Sequence, residues 1–330
     1  MKTLLLSYED VLKVLSMKDV IEAVEGGYVS YNRGKVSQPD VVTVEEKNNN
    51  GETDIKSCYN EENDMVSIKI ASGYWDNPKK YDISTMQGTI VILDGQNGLP
   101  VCVMDGSLIT NYRTGAAGAI SCKYLARKNS ETVAVIGAGS QARMQIYALA
   151  ELMPIKTVKV FSPKVEELED YKADVEEKTG LEVIMCASVA SAMKNADIAI
   201  STTPTKIYWV DKERVKDGLH IVAVGADMQG KNEWDPEIFI GSKIVVDSAK
   251  QCLSRGEIRN AVINGLILED DIHAEIGEII EGQKAGRISD NEITIFDTTG
   301  MGIQDNVTAV KIFELAKEKN IGTYFDFESK

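Results

Sequence analysis

The stretch that most constrains this chain is a short apolar run, Thr132-Val133-Ala134-Val135-Ile136, followed by Gly137-Ala138-Gly139-Ser140-Gln141-Ala142. A run of this kind reads as a strand. The G-x-G-x-x-A that follows reads as a tight turn into a helix beginning near Ser140. Such a turn builds a pyrophosphate cradle: Gly137 allows the sharp bend, and Gly139 lets a phosphate approach the backbone. Ala142 lets helix and strand pack closely, and the helix N-terminus presents free N–H groups and a positive dipole end. The pattern starts at residue 137 of 330, so a segment long enough for a domain of its own comes first.

From residue 132 onward the texture is strand–helix alternation. Strands are expected at 132–136, 158–161, 183–185, 198–202, 221–224, 244–246 and 293–296, with helical segments between most of them. Repeated βα units imply a Rossmann-type, doubly wound parallel sheet. The earlier part reads differently. Ser7 and Ser16 are N-cap candidates for two helices within 7–33, carried by Val11, Leu12 and Leu15, then Val20, Ile21, Val24 and Tyr28, and closed by Gly34. Residues 40–104 alternate apolar and polar side chains between turn signals at Asn48-Asn49-Asn50-Gly51 and Asp94-Gly95-Gln96-Asn97-Gly98, which implies an antiparallel sheet. An amphipathic helix is expected over 305–319. These readings give an α/β chain of two domains. A discontinuous α+β domain spans 1–118 with 305–330, and a Rossmann dinucleotide-binding domain spans 119–304.

Composition removes several alternatives. A net charge of −15 with no basic run argues against nucleic acid as a partner. No apolar stretch approaches the roughly 18–20 residues of a membrane span. The apolar run Leu4-Leu5-Leu6 meets Glu9 and Asp10 too soon for a signal peptide. Five scattered cysteines without C-x-x-C oppose a disulfide framework or a zinc site and suit a reducing cytoplasm. His273, in Asp270-Asp271-Ile272-His273-Ala274-Glu275, lacks metal-ligand spacing and reads as part of a capping turn at a helix start. His220 leads into an apolar run and reads as structural. No G-x-S-x-G elbow supports a serine hydrolase.

The second expected strand ends in Val160-Phe161-Ser162-Pro163-Lys164, without the carboxylate that would hold the ribose 2′-OH of NAD. Ser162 can hydrogen-bond a 2′-phosphate and Lys164 can neutralise one, so NADP(H) is favoured, with NAD(H) as the alternative. Outside the cofactor domain, Lys69 lies inside an apolar strand and Arg113 just precedes Thr114-Gly115-Ala116-Ala117. Two cations in such settings suit a carboxylate. Asp227, in Gly225-Ala226-Asp227, follows a strand of the doubly wound sheet, where ligands bind; it is a proton-relay candidate, with a helix N-cap as the alternative.

Taken together, the chain resembles the ornithine cyclodeaminase/mu-crystallin family over nearly its whole length. The resemblance is carried by Lys69, the 86–100 segment, Thr110 to Ala117, Gly137 to Gln141, Gly225-Ala226-Asp227 with Lys231 and Glu233, Gly277-Glu278, and Asp297-Thr298-Thr299-Gly300-Met301-Gly302-Ile303-Gln304-Asp305. It implies a homodimer whose first domain, 1–118 with 305–330, binds substrate and builds the dimer, with Lys69 and Arg113 gripping the substrate carboxylate. Thr85 would lie in the same pocket, and Asp227 would act as acid/base at the reacting amine. The loop from Thr298 through Gly300 and Met301 would approach the nicotinamide, and Thr114, Thr202 and Val224 would also line the cofactor. Members share a first step, loss of hydride from an amino acid α-carbon to NAD(P)⁺, giving an imine that is hydrolysed, cyclised, or reduced in the reverse sense.

Two positions depart from the family pattern. Where many members carry Pro-Arg, this chain has Pro39-Asp40. Where the ornithine branch carries an acid ahead of the lysine, it has Lys56. Like charges close together in a partly dry pocket cost on the order of a few kcal/mol, so Lys56 disfavours ornithine and suits an acidic or neutral side chain. The expected activity is therefore an amino-acid dehydrogenase or imine/ketimine reductase that binds a small amino or imino acid and no metal. Ornithine cyclodeaminase is the second reading, and a non-catalytic cofactor-dependent binding protein the third.

Overall fold

In the computed structural model, which describes residues 2–226, 228 and 230–327, two serines start the first two helices. Strand β1 (Lys2–Leu6) precedes α1 (Tyr8–Val14) and α2 (Met17–Asn32). The Ser7 hydroxyl accepts from the Asp10 N–H while the Asp10 carboxylate accepts from the Ser7 N–H; Ser16 caps α2 through the Asp19 N–H. Gly34, at φ +69, takes the left-handed turn after α2. The chain then forms β2 (Val36–Ser37), β3 (Val42–Glu46), β4 (Gly51–Asn60), β5 (Met65–Tyr74), the single turn α3 (Asn77–Lys80), β6 (Met86–Asp94), β7 (Pro100–Asp105) and α4 (Ser107–Leu125).

The alternating part follows as β8 (Thr132–Ile136), α5 (Ser140–Leu152), β9 (Thr157–Phe161), α6 (Leu168–Thr179), β10 (Glu182–Met185), α7 (Val189–Met193), β11 (Ile198–Ser201), β12 (His220–Ala223), β13 (Lys243–Val246), α8 (Ala249–Arg255), α9 (Ile258–Ile263), β14 (Ile272–Glu275), α10 (Ile276–Ile280) and β15 (Thr294–Asp297). All its strand pairs are parallel, in the order β10-β9-β8-β11-β12-β15-β13-β14. The fold is the expected Rossmann-type doubly wound sheet, with its switch point between β8 and β11. Ala134, Ile136, Ala199, Ile221, Val246 and Ile295 line one core beside it with Trp234 and Phe239.

Two elements close the chain, α11 (Gly302–Glu318) and β16 (Thr323–Asp326). The molecule divides into one unit of Met1–Arg113 with Met301–Lys330 and another of Thr114–Gly300. The first unit's sheet runs β16-β1-β7-β6-β5-β4-β2, with β3 also paired to β4; β1 and β7 are parallel and the other pairs antiparallel. Helix α11 lies over β4, β5 and β6, and buries Ala309, Val310, Ile312 and Phe313 against Ile90, Ile92 and Met104.

His273 departs from expectation. Glu269–Asp271 form a 3-10 turn in which the Asp271 carboxylate accepts from the Leu268 N–H, but His273 follows it inside edge strand β14, with Nε2 2.9 Å from the Ala285 carbonyl oxygen. A four-residue edge strand mixing Ile, His, Ala and Glu has too little period to announce itself. His220 is structural, as read: its ring nitrogens meet the Ser121 and Thr294 hydroxyls, and burial with nearby Arg287 pushes the imidazole down to about 3, so it is neutral. All five cysteines are buried and free. No helix among the described residues is long and apolar enough to cross a membrane, and none of their acidic, His and Cys side chains form a metal-binding group.

Candidate active site

The turn between β8 and α5 is made wholly by Gly137-Ala138-Gly139. Gly137 sits at φ +114, which only glycine adopts without strain, and a Cβ there would lie 2.7 Å from the Thr202 Oγ1. Its N–H donates to the Phe161 carbonyl at 2.8 Å, tying the turn to β9. Gly139 is extended; nothing lies within 4 Å of the place a Cβ would take, and no side chain caps α5. Open space beside a bare helix N-terminus, at the switch point of a doubly wound sheet, fits the pyrophosphate of a dinucleotide. Ser140 is exposed, Gln141 half-buried and Ala142 fully buried, with its carbonyl accepting from the Tyr171 hydroxyl.

At the tip of β9, the buried Ser162 hydroxyl accepts from the Lys164 N–H, and the exposed Lys164 ammonium lies 3.0 Å from Glu167. Thr202 stands beside Gly137, and the Val224 N–H donates to the Ser201 carbonyl. The Thr114 carbonyl accepts from Gln145, and the Gly300 N–H donates to Asp247. Asp227 lies outside the described residues.

The first unit builds a charged cluster in its core. Lys69 of β5, Lys56 of β4 and Ile90 of β6 are cross-strand partners, so all three point to the face covered by α11. Lys69 Nζ lies 2.8 Å from Asp305 Oδ2 and 2.9 Å from its Oδ1. Arg113 of α4 donates to the same Oδ1 through Nε at 3.1 Å and to Gln304 Oε1 through Nη1 at 3.2 Å. Gln304 in turn donates to the Tyr28 hydroxyl and accepts from the Met301 N–H. Lys69, Arg113 and Asp305 are all buried. Burial, then Arg113, draws the Lys69 ammonium down to about 7 against the pull of Asp305, while Lys69 and Arg113 hold Asp305 below the ordinary carboxylate range. Among the described residues, two buried cations thus share one buried carboxylate. A group so undercompensated has room, electrostatically, for one more anion.

Lys56 is half-buried, and its charge is felt at both Lys69 and Asp305. Asp40 is exposed. Thr85 precedes β6 with its carbonyl accepting from the Tyr74 N–H, and has no hydrogen bond to the cluster among those described. Lys69 and Arg113 are therefore brought together on Asp305. Asp305 carries the pair, yet in sequence it is one more acid in the first turn of a helix, where acids gather for the dipole alone.

A sequence model of the ornithine cyclodeaminase/mu-crystallin family matches residues 1–320. The chain is similar to an archaeal alanine dehydrogenase solved as a dimer with bound NAD, at 37% identity and a TM-score of 0.94, over 99% of this chain and 100% of that one. It is similar to the Delta(1)-pyrroline-2-carboxylate reductase of Thermococcus litoralis, solved with NADH and L-proline, at 35% identity and a TM-score of 0.94, over 97% and 99% of the two chains. The iminosuccinate reductase of Paracoccus denitrificans, solved with NAD⁺, is 31% identical with a TM-score of 0.93, over 99% and 100%. The glycine turn and the buried cation pair both fall within the matched span, and the chain belongs to the ornithine cyclodeaminase/mu-crystallin family.

Proposed function

We propose that this enzyme binds a small amino acid, or the corresponding imine, by its carboxylate at Lys69 and Arg113, and exchanges hydride at the α-carbon with NADP(H) in preference to NAD(H). That it is a nicotinamide-dependent oxidoreductase of amino acids or imines follows from relatives of that activity that span its whole length. The observation that carries the substrate reading is the buried pair of cations sharing Asp305. A substrate carboxylate entering there supplies the missing negative charge. The bound nicotinamide supplies the hydride acceptor or donor. Asp227 takes the proton from, or returns it to, the substrate nitrogen. Lys56, on the Lys69 face, repels a cationic side chain, which favours acidic or neutral substrates over ornithine.

The coenzyme preference rests on β9. Ser162 lies at its tip, and the Lys164–Glu167 pair is exposed; such pairs are worth about 0–1 kcal/mol, so a 2′-phosphate dianion would displace Glu167 from Lys164. Lys164→Ala is expected to weaken NADPH binding about tenfold more than NADH binding. Equal losses in titrations of the two would remove the preference.

The first unit's sheet also supports a homodimer. The face opposite α11 carries Val42, Ile55, Ile70, Val44, Val66, Ile68 and Val91 in register, with Val42 57% and Val44 47% exposed. A partly apolar face of this kind, which also carries Thr53, Ser57, Ser72 and Thr89, suits a second copy of the chain.

The test is a screen of amino acids with NAD⁺ and NADP⁺, following the reduced coenzyme, with the reverse reaction run on keto acids plus ammonia or methylamine. Asp227→Asn is expected to lower kcat by about 10²–10⁴ while leaving coenzyme affinity nearly intact. Lost coenzyme binding would remove the proton-relay role. Release of proline and ammonia from ornithine without net reduced coenzyme would replace this reading with cyclodeamination.

A further inference from the structure

Behind the carboxyl edge of the second unit's sheet lie four buried carboxylates that the reaction above does not use: Asp247, Asp297, Glu257 and Glu233. Each accepts main-chain N–H groups from a neighbouring segment. Asp247 Oδ2 accepts from Thr299 at 3.1 Å and Gly300 at 2.8 Å, and from the Thr298 hydroxyl at 2.7 Å. Asp297 Oδ2 accepts from Ile258 at 2.9 Å. Glu257 Oε1 accepts from Glu233 at 2.7 Å and Trp234 at 2.8 Å. Glu233 Oε1 accepts the Thr203 N–H at 2.5 Å and the Thr203 hydroxyl at 2.6 Å, while its Oε2 accepts the Gly225 N–H at 2.9 Å and the Ser201 hydroxyl at 2.7 Å.

These contacts form a chain of clasps. Asp297 holds the residue next to Glu257, Glu257 holds the segment bearing Glu233, and Glu233 holds the ends of β11 and β12 together. The last clasp also accounts for a glycine: a Cβ on Gly225 would collide with the Glu233 carboxylate and the Thr203 carbonyl. The loops leaving β11 and β12 lie on the far side of the switch point from Ser162. In a doubly wound sheet that binds a dinucleotide across the point where strand order reverses, the half that does not face the adenosine site belongs to the nicotinamide.

We propose that Glu233 is a positioning residue for the nicotinamide end of the coenzyme, fixing the loops after β11 and β12 through four hydrogen bonds. The proposal rests on the coenzyme reading above. Its Oε2 accepts from both the Gly225 N–H and the Ser201 hydroxyl, so an amide NH₂ in that place would meet donors with a donor.

The test compares NAD(P)H with ADP-ribose, or its 2′-phosphate for an NADP-preferring enzyme, which lack the nicotinamide. Both are titrated calorimetrically into wild type and Glu233→Gln, and kcat is measured alongside. The expected result is ADP-ribose affinity within twofold of wild type, NAD(P)H affinity at least tenfold weaker, and kcat at least tenfold lower. Equal weakening of both ligands, or of neither, overturns the proposal. If Glu233→Gln does not fold, Thr203→Val removes only the hydroxyl contact and must give the same split at about threefold; an unsplit result overturns the proposal equally. Wild type that binds neither nucleotide would defeat the coenzyme reading itself, and the positioning role with it.

Discussion

Asp305→Asn is expected to cost the folded protein about 3–5 kcal/mol near neutral pH, because it leaves two buried cations without their countercharge. Asparagine keeps the shape and one acceptor, so the effect reports charge and not volume. Part of the cost is escapable. Lys69 already holds its proton loosely, drawn down to about 7 by burial and Arg113, and Asp305 is what opposes that fall. Without Asp305 the lysine sheds its proton more readily. A lysine whose folded value lies below its ordinary 10.5 destabilises the folded state most at low pH, and the penalty lifts as pH rises. The gap between Asp305→Asn and wild type should therefore narrow in denaturant titrations run from about pH 6 to about pH 9. A variant as stable as wild type throughout would mean that Asp305 does not balance the pair.

Gly139→Ala and Gly137→Ala are expected to separate coenzyme binding from folding. The place of a Cβ on Gly139 is empty space, and its backbone is extended, so alanine there should fold with unchanged stability. The methyl would occupy the space on which a pyrophosphate must close, and coenzyme affinity should drop about tenfold or more. Gly137 stands at φ +114 with Thr202 Oγ1 at its back. Alanine there should lose coenzyme affinity and also about 1–3 kcal/mol of stability. Full coenzyme affinity in Gly139→Ala, measured by fluorescence titration, would mean that this turn is not the cradle.

What the sequence made legible was local. The glycine turn needs only its neighbours to be read, and so do the serine caps at Ser7 and Ser16. Short, mostly apolar runs of three to five residues marked seven of the eight parallel strands; edge strand β14 has no such run. The buried polar chemistry was legible only in part. Lys69 and Arg113 stood out because a cation is unexpected in an apolar strand or beside small residues. Their partner did not, since the Asp305 contact joins positions 236 residues apart for Lys69 and 192 for Arg113. Glu233 could be quoted from the family pattern, but its four donors come from segments around positions 201, 203 and 225 that only the fold brings together. A carboxylate's partners are a tertiary fact, and no spacing rule reaches them.

The five buried thiols have a practical consequence for these experiments. Burial pushes Cys58, Cys102 and Cys122 up to about 12 and Cys252 well above its ordinary value. The thiolate is the species that reacts with alkylating reagents, so these four thiols are nearly silent in the folded chain, Cys186 is shielded by its burial, and the unfolded chain carries five targets. Brief alkylation followed by mass measurement therefore counts unfolded molecules directly. The Asp305 and glycine variants can be ranked for stability in crude lysate, with the native sequence as its own reporter.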